Sequence, residues 1–295
     1  MTAVAVMRQR SYLRGPGRLL IAPAVVLLIV ASIAPLFATL KFSFVDYRLL
    51  FPDSSGFVGF TNYADLAASP VFVPALVNTL LLIAFVLALS IVGGLALALL
   101  IDGPVAGRGA LRLLVISPFF VMPPVSALIW KNLLMQPVSG FFAWLLSLAG
   151  LPAFDWFARA PLLSIGLIVA WQWLPFAALI LLTSLQSFDH EQREAAQLDG
   201  ASPVAIFRDL KLPHLARPIA IVVMIETIFL LGIFAEILVT TGGGKASTDL
   251  AFLVYAQSMY QYDIGAASAA GLIAVVFANI LAIFLIRAVG RSLDA

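Results

Sequence analysis

Six long apolar stretches constrain this chain more than any other feature. They occupy residues 19–40, 75–101, 111–135, 161–186, 215–239 and 266–287. A helix needs about 20 mostly apolar residues to cross roughly 30 Å of hydrocarbon, and each stretch reaches that length. Backbone amides in lipid must be satisfied within the segment, and stretches this long lack the alternation of barrel strands. The sequence therefore predicts an all-α integral membrane protein with six transmembrane helices.

The low charge content supports this prediction. Hydrophobic residues make up 62% of the chain and charged residues 11%, whereas soluble domains have about 45–50% and about 25%. The net charge is +2 and no basic run alternates with aromatic rings, so the sequence does not predict nucleic-acid binding. Cysteine is absent, and His190 and His214 have no partner at ligand spacing. We therefore predict no disulfide, metal site or catalytic site.

The first stretch has two possible interpretations. It follows several arginines, and the triplet 32–34 resembles the cleavage site of a signal peptide. Its apolar core, however, is longer than the ~7–15 residues of a signal sequence. Pro35, directly after the triplet, would also hinder cleavage. We therefore expect a retained helix over 19–41, preceded by a cytoplasmic segment 1–18 and followed by a periplasmic loop 42–74.

The orientation follows from the distribution of lysine and arginine, which collect on the cytoplasmic side. With a cytoplasmic N-terminus, that side holds Arg8, Arg10, Arg14, Arg18, Arg108, Arg112, Arg193, Arg208, Lys211, Arg217, Arg287 and Arg291. The opposite side holds Arg48, Arg159 and Lys245. This asymmetry predicts a multi-pass protein of the bacterial inner membrane with both termini in the cytoplasm.

Prolines inside two of the spans predict kinks. Pro118, Pro123 and Pro124 lie in the third span, and Pro175 lies in the fourth. Proline removes a backbone hydrogen bond and clashes with the preceding turn. Such kinks are tolerated where neighbouring helices or a cavity satisfy the freed carbonyls, so they indicate a helix bundle around a pathway.

The hydrophilic loop 187–214 is predicted to form two short cytoplasmic helices. Gly200 can adopt the positive φ that stops the first helix. Ser202 and Pro203 supply an N-cap and a first-turn proline for the second helix. We expect that helix to run to about Lys211 and to end at Pro213.

The spacing within this loop is specific. Glu194-Ala195-Ala196, three residues, Gly200, nine residues and then Leu210-Lys211-Leu212-Pro213 resemble the EAA loop of binding-protein-dependent ABC importer permeases. The one departure is Leu210, where that family has isoleucine. The resemblance covers roughly residues 70–290. It implies the ABC importer type I permease fold with a cytoplasmic coupling helix, an ABC transmembrane type-1 domain over 75–288, and a cytoplasmic tail at 289–295.

The resemblance also implies how the chain works. The EAA loop docks on a separate ATP-binding subunit dimer, and the permease pairs with a second six-helix permease and a periplasmic solute-binding protein. The residues implied in ATPase coupling are Glu194, Ala195, Ala196, Asp199, Gly200, Ala201, Leu210, Leu212 and Pro213. No cofactor is expected in this chain, because ATP would bind the partner. Gly242-Gly243-Gly244-Lys245 lacks the rest of a Walker motif and is interpreted as a turn.

Candidate substrate contacts lie in the fourth and fifth spans. Charges within a span usually face the bundle interior, which singles out Glu226, whereas we expect Glu236 to reach the outer interface. Gln172 and Trp173 combine an amide with a ring that could stack on a sugar, and we include Phe229 with them. Helix–helix packing explains Gln172 equally well. A stand-alone proton-coupled carrier that uses Glu226 is the alternative function.

Within the importer family, the chain most resembles sugar and polyol permeases. The stretches 234–237, 241–244 and 271–275 look closest to mannitol and sorbitol permeases. This resemblance implies a sugar or polyol substrate.

Overall fold

The computed structural model describes residues 17–103 and 107–293. Residues 1–16 of the predicted N-terminal segment and residues 294–295 of the predicted tail lie outside the described part. The structure is mostly helical, as the composition predicts.

In chain order, the helices are α1 (Gly17–Phe42), α2 (Thr61–Ala68), α3 (Phe72–Asp102), α4 (Arg108–Ile116), α5 (Pro123–Ile129), α6 (Phe141–Leu148), α7 (Trp156–Arg159), α8 (Pro161–Gln186), α9 (His190–Leu198), α10 (Pro203–Ile206), α11 (Leu212–His214), α12 (Ala216–Leu230), α13 (Ala235–Thr240), α14 (Leu250–Tyr255) and α15 (Ile264–Leu293). Short 3₁₀ turns occupy Pro52–Ser54 and Ser117–Phe120, and π-turns occupy Trp130–Leu134, Phe207–Lys211 and Ala256–Tyr260. The strands are β1 (Val45–Asp46) and β2 (Gly56–Phe57), an antiparallel pair.

Four helices in the described part are long and apolar enough to cross a membrane without interruption. They are α1, α3, α8 and α15, and they correspond to the first, second, fourth and sixth predicted spans. The total reaches six only when each of two bent pairs of helices is counted as one span. The first pair, Gly109–Phe120 and Pro123–Leu134, is the third predicted span. The second pair, Pro203–His214 and Ala216–Leu230, joins the end of the predicted cytoplasmic loop to the first part of the fifth span at 54°.

The third span is broken rather than kinked, which corrects the prediction. Its two halves, Gly109–Phe120 and Pro123–Leu134, meet at 103°. Val121 and Met122 between them are extended, with ψ angles of 130° and 135°. Proline disfavours the α conformation of the residue before it, so Pro123 forces Met122 out of the helix. Pro123 and Pro124 then begin α5, where the missing N–H groups cost nothing.

The fifth span is also interrupted, which the sequence interpretation missed. Helix α12 ends at Leu230 and α13 begins at Ala235, although the apolar stretch runs on without a break. Gly232 lies in the gap and has a low helix propensity. Its N–H bonds the Phe229 carbonyl at 3.0 Å, so the last turn tightens from α-type to 3₁₀-type pairing.

The core is centred on α8, which is 61% buried over its most apolar window, against 28% for α3 and none for α1. Helices α3 and α8 approach closely because small residues lie between them. A Cβ on Gly94 would stand 2.8 Å from the Ala177 Cβ, and one on Gly166 would stand 2.6 Å from the Phe85 ring. Small residues at helix contacts are typical of membrane bundles.

The predicted periplasmic loop 42–74 is ordered. Asn62 Nδ2 donates to the carbonyl oxygens of Ser43 and Val45 at 2.9 and 3.0 Å, which fixes α2 against the β1 strand. Arg48 and Asp263, which lies just before α15, form an isolated antiparallel backbone bridge. These contacts hold the segment onto the helix bundle.

The segment between α13 and α14 is a glycine turn docked on α3. Gly242, Gly243 and Gly244 have φ angles of 66°, 95° and 111°, a conformation that side-chain-bearing residues rarely adopt. Asn78 of α3 donates to the carbonyls of Lys245 and Thr248 at 3.0 and 2.8 Å. The interpretation of this stretch as a turn is confirmed.

Candidate functional site

Residues 187–214 are called the coupling loop after the role predicted for them from the sequence. This loop begins with a capped helix, and its first half ends at a glycine. Asp189 Oδ1 accepts from the Glu191 N–H at 2.9 Å and caps α9. At the other end Gly200 has φ 80°. Its N–H bonds the Gln197 carbonyl at 3.1 Å, and the Ala201 N–H bonds the Ala196 carbonyl at 2.9 Å. This paired pattern is the Schellman motif, which needs a left-handed residue and therefore favours glycine.

The second half of the coupling loop continues further than predicted. Ser202 Oγ accepts from the Ala205 N–H at 3.2 Å and caps α10, as expected. The helical path then passes through Pro213 and ends at His214, whereas Pro213 was expected to end it. The π-turn explains the difference. The Leu212 N–H bonds the Phe207 carbonyl five residues back, which widens the helix where a proline ring would otherwise clash.

Most of the predicted coupling residues lie on an accessible surface. Glu194, Ala195, Asp199, Gly200, Leu212 and Pro213 are exposed, and Ala196, Ala201 and Leu210 are half-buried. Leu198 and Val204, on either side of Gly200, expose 88% and 73% of their surface. Sequence reasoning missed these two, although apolar residues in a hydrophilic loop are a visible signal. Large apolar side chains this exposed, with the carboxylates of Glu194 and Asp199 close by in the sequence, favour an interaction surface.

The coupling loop is attached firmly to the bundle. Ile206 and Leu215 are buried, and Leu215 packs in a cluster with residues of α3 and α8, including Ile101 and Leu181. Lys211 Nζ lies 3.7 Å from Asp102 Oδ2 at the end of α3. A displacement of the loop is therefore passed to α3, α8 and α12 together.

A second candidate site, the aromatic cavity, lies between the third, fourth and fifth spans and has a volume of about 460 Å³. It is lined by Phe119, Val121, Pro123, Gln172, Trp173, Phe176, Ile225, Phe229 and Glu236. The Trp173 ring lies 5.1 Å from Phe229 and 5.6 Å from Phe119, and Phe119 stacks on Phe176 at 5.8 Å. Three of the four predicted substrate contacts, Gln172, Trp173 and Phe229, thus meet at this cavity.

Gln172 also has a packing role. Its Nε2 donates to the Val121 carbonyl at 2.9 Å. That carbonyl belongs to the break in the third span, where no helical partner is available and lipid could offer none. The amide therefore stabilises the broken span from within the cavity wall.

Glu226 lies in the bundle interior as expected but does not line the aromatic cavity, and Glu236 lines it instead. Ile225 and Phe229 face the cavity, and Glu226, about 100° further around α12, does not line it. Glu226 is fully buried beside Ser90 of α3, and neither carboxylate oxygen has a hydrogen-bond partner among the described residues. Glu236, expected at the interface, is 5% exposed and lines the cavity. The break before α13 turns it inward.

Two aromatic residues of the cavity were not found from the sequence. Phe176 lies three residues after Trp173 on the same face of α8, a spacing that could have identified it. Phe119 reaches the cavity only because the third span breaks after Phe120, so no periodicity would have placed it there.

The comparison with known families decides what kind of protein carries these two sites. The family described as binding-protein-dependent transport system inner membrane component matches residues 26–295. This chain belongs to that family. It is a multi-pass permease subunit of a binding-protein-dependent ABC importer, and a transport subunit rather than an enzyme.

Individual relatives agree with this assignment. The permease is 34% identical over 93% of its length to the probable ABC transporter permease protein y4oQ of Sinorhizobium fredii, of which 90% is covered. It is 31% identical over 85% of its length to the trehalose/maltose transport system permease protein MalF of Thermococcus litoralis, of which 86% is covered. A chain of a bacterial alginate ABC transporter, crystallised with an alginate-bound periplasmic protein, superposes with a TM-score of 0.76 at 21% identity over 91% of both chains. That likeness establishes the fold.

Proposed function

We propose that this permease moves a sugar or polyol across the inner membrane as one half of an ATP-driven importer. Its partners in this proposal are an ATP-binding subunit dimer, a second six-helix permease and a periplasmic solute-binding protein, and both termini lie in the cytoplasm. The observation that carries the proposal is the coupling loop, where the Gly200 turn presents an accessible surface on a segment packed against the membrane helices.

The coupling surface has the chemistry of a docking helix. Burying Leu198 and Val204 in a cleft would contribute roughly 1.5–3 kcal/mol each. Glu194 and Asp199 are exposed beside them and can accept charge-assisted hydrogen bonds from an arginine or a backbone N–H. Ala195 keeps this face of α9 narrow. These residues together favour insertion into a groove on another subunit.

Photo-crosslinking tests the coupling proposal. A photoreactive amino acid replaces Leu198 in the full importer, and a matched one replaces Leu148, which is also exposed (66%) but lies on α6. We expect an adduct with the ATP-binding subunit from position 198 and none from position 148. No adduct from position 198, with or without nucleotide, would contradict docking at this loop.

The aromatic cavity supports a polyhydroxylated solute. The rings of Phe119, Trp173 and Phe229 offer flat faces to C–H groups, while Gln172 and Glu236 add polar atoms to the wall. Pockets of this kind use a few polar groups to orient a largely apolar contact. Phe229 is 60% exposed, so the cavity is open on the side that a second permease would close.

The names of relatives support the sugar class. They include permeases for trehalose and maltose, for sulfoquinovosyl glycerol and for sn-glycerol-3-phosphate. We favour mannitol or sorbitol among possible polyols because of the resemblance at residues 234–237 and 241–244. The Tm of the partner binding protein, measured with mannitol, with sorbitol and with trehalose as the comparison, tests this choice. A shift with trehalose alone would reject the polyol assignment.

The alternative of a stand-alone proton-coupled carrier depends on Glu226, which is buried without a hydrogen-bond partner among the described residues. Uptake into proteoliposomes that contain the complete importer distinguishes the two functions. We expect uptake to require ATP and to persist when a protonophore collapses the proton gradient. Uptake that continues without ATP and stops with the protonophore would favour the carrier.

A further inference from the structure

A second cavity, the Arg217 cavity, lies between the ends of α8 and α12 that adjoin the coupling loop, and has a volume of about 570 Å³. Its walls include Ile180, Thr183 and Ser184 of α8, Ser187 directly after that helix, and Arg217 and Ile221 of α12. Hydroxyl groups and a guanidinium therefore line this cavity, whereas Trp and Phe rings line the aromatic cavity.

The two cavities lie on one continuous face of the same two helices. On α8, Phe176 lines the aromatic cavity and Ile180, four residues on, lines the Arg217 cavity. On α12 the corresponding pair is Ile225 and Ile221. Four residues are about one helical turn, or roughly 6 Å along the axis. A solute leaving the aromatic cavity along this face would enter the Arg217 cavity next.

Arg217 is the charged group available to such a solute. Its side chain is exposed, and no carboxylate of the described residues pairs with it or lines the cavity. His214 is already engaged. Its Nε2 lies 3.0 Å from the Ser184 carbonyl, which can only accept, and its ring packs on Phe188. The local potential in the Arg217 cavity is therefore set mainly by one unpaired cation.

We propose that the Arg217 cavity is the exit vestibule of the transport pathway, and that Arg217 makes it admit neutral and anionic solutes in preference to cationic ones. A fixed charge on a low-dielectric wall concentrates ions of opposite sign and repels ions of the same sign. The inference rests on the proposed transport function and adds to it the charge class of the solute.

The natural absence of cysteine allows a direct test. Ser184→Cys places a thiol on the cavity wall, and Gln186→Cys places one on the exposed side of α8, about 200° around the helix. Inside-out vesicles with the complete importer are labelled with two methanethiosulfonate reagents, the anionic ethylsulfonate and the cationic trimethylammonium. Rates are normalised to their reaction with a free thiol.

We expect the anionic reagent to label the thiol at position 184 about 5- to 10-fold faster than the cationic one, because a unit charge in the same cavity attracts one reagent and repels the other. Arg217→Gln should bring the ratio close to one, and Arg217→Lys should preserve it. The ratio at position 186 should change little. Equal rates at position 184 in the presence of Arg217 would overturn the charge preference, even if the Arg217 variants fail to assemble.

Nucleotide dependence tests the vestibule itself. Trapping the ATPase with ATP and vanadate should slow labelling at position 184 and leave labelling at position 186 unchanged, because an exit closes when the pathway opens on the other side. Labelling at position 184 that ignores the trap, in an importer whose ATPase still crosslinks to position 198, would overturn the vestibule and leave the coupling proposal intact.

Discussion

Lys211 Nζ lies 3.7 Å from Asp102 Oδ2, so an ion pair joins the coupling loop to the end of α3. The two side chains expose 16% and 25% of their surface, which shields the pair partly from solvent. Asp102 is the last residue of α3, and Asn78, near the other end of the same helix, donates a hydrogen bond to the segment that follows the glycine turn. The pair therefore places the loop and the far side of the bundle on one rigid element.

Reversing the charge of Lys211 alone should impair coupling, and exchanging both charges of the pair should restore it. Lys211→Glu places two carboxylates together, and we expect binding-protein-stimulated ATPase activity to fall relative to the basal rate. The pair is worth about 0.5–1 kcal/mol, so a reduction of severalfold is expected. The double variant Lys211→Glu with Asp102→Lys should recover the stimulated rate. A double variant as defective as the single one would show that the attraction is not what matters.

Gly200→Val should uncouple the importer without preventing insertion. At φ 80° a β-branched residue costs about 1–3 kcal/mol of backbone strain, although no neighbouring atom obstructs its Cβ. We expect the variant to reach the membrane in normal amounts and to lose most ATP-driven uptake. Gly200→Asn is the control, since asparagine tolerates this conformation. Normal uptake by the valine variant would contradict the need for the turn.

Trp173→Ala should weaken transport, because it removes the ring that contacts both Phe119 and Phe229 in the wall of the aromatic cavity. Ring contacts are worth about 0.5–1.5 kcal/mol beyond burial, so we expect uptake at limiting solute to fall about tenfold. Trp171 is the matched control, because it packs on Trp130 at 5.8 Å and does not line the cavity. Equal losses from Trp173→Ala and Trp171→Ala would indicate a purely structural effect.

Lys131→Met should destabilise the permease. Its Nζ donates to the carbonyls of Val239 and Thr240 at 3.1 and 2.6 Å, at the end of α13. Hydrogen bonds from a charged donor contribute about 1.5–3 kcal/mol, and methionine keeps the volume but not the donor. We expect a lower Tm for the detergent-purified protein, with Lys131→Arg close to the wild type. An unchanged Tm for the methionine variant would show that the hydrogen bonds from Lys131 to the end of α13 do not stabilise the permease.

Stability should fall as the pH rises towards 8. Asp249, in the turn before α14, is held in a buried position, and this burial raises its pKa from 3.8 to about 7, helped by the charge of Glu236. The folded state binds this proton more tightly than the unfolded chain does, and the resulting stabilisation is complete below about pH 4. It decreases as the pH rises from about 4 and is lost once the pH has passed through about 7. The full difference corresponds to on the order of 4 kcal/mol. Asp249→Asn should flatten the Tm profile between about pH 5 and 8, and an unchanged slope would exclude Asp249 as its source.

Much of the helical layout could be predicted because hydrocarbon imposes a length and a composition on each span. Helix α8 begins and ends at the predicted residues, and the cap at Ser202 follows from local chemistry alone. The breaks at Val121 and Gly232 could not be located in the same way. Whether a proline or glycine bends a helix or interrupts it depends on partners from elsewhere in the chain, such as Gln172 and Lys131.

The cavity shows the same limit. Gln172, Trp173 and Phe229 are identifiable from residue type and depth in the span. The positions of Glu226 and Glu236 are not, because helical periodicity fixes relative angles along α12 but not which face meets α3. The break before α13 resets that periodicity for Glu236. Residue chemistry therefore predicted the candidates, and packing decided which of them meet.

The continuity of α8 has a mechanical consequence for the importer. It is 26 residues long, or roughly 39 Å at about 1.5 Å per residue, and it crosses the bundle without a break, whereas the spans on either side of it in the sequence, the third and the fifth, are divided. If the helix stays intact and pivots within the bundle, a displacement of its Gln186 end must move its Pro161 end in the opposite direction. The divided spans can absorb the same tilt at their joints, so α8 is the helix best suited to carry a movement of the coupling loop to the opposite side of the bundle.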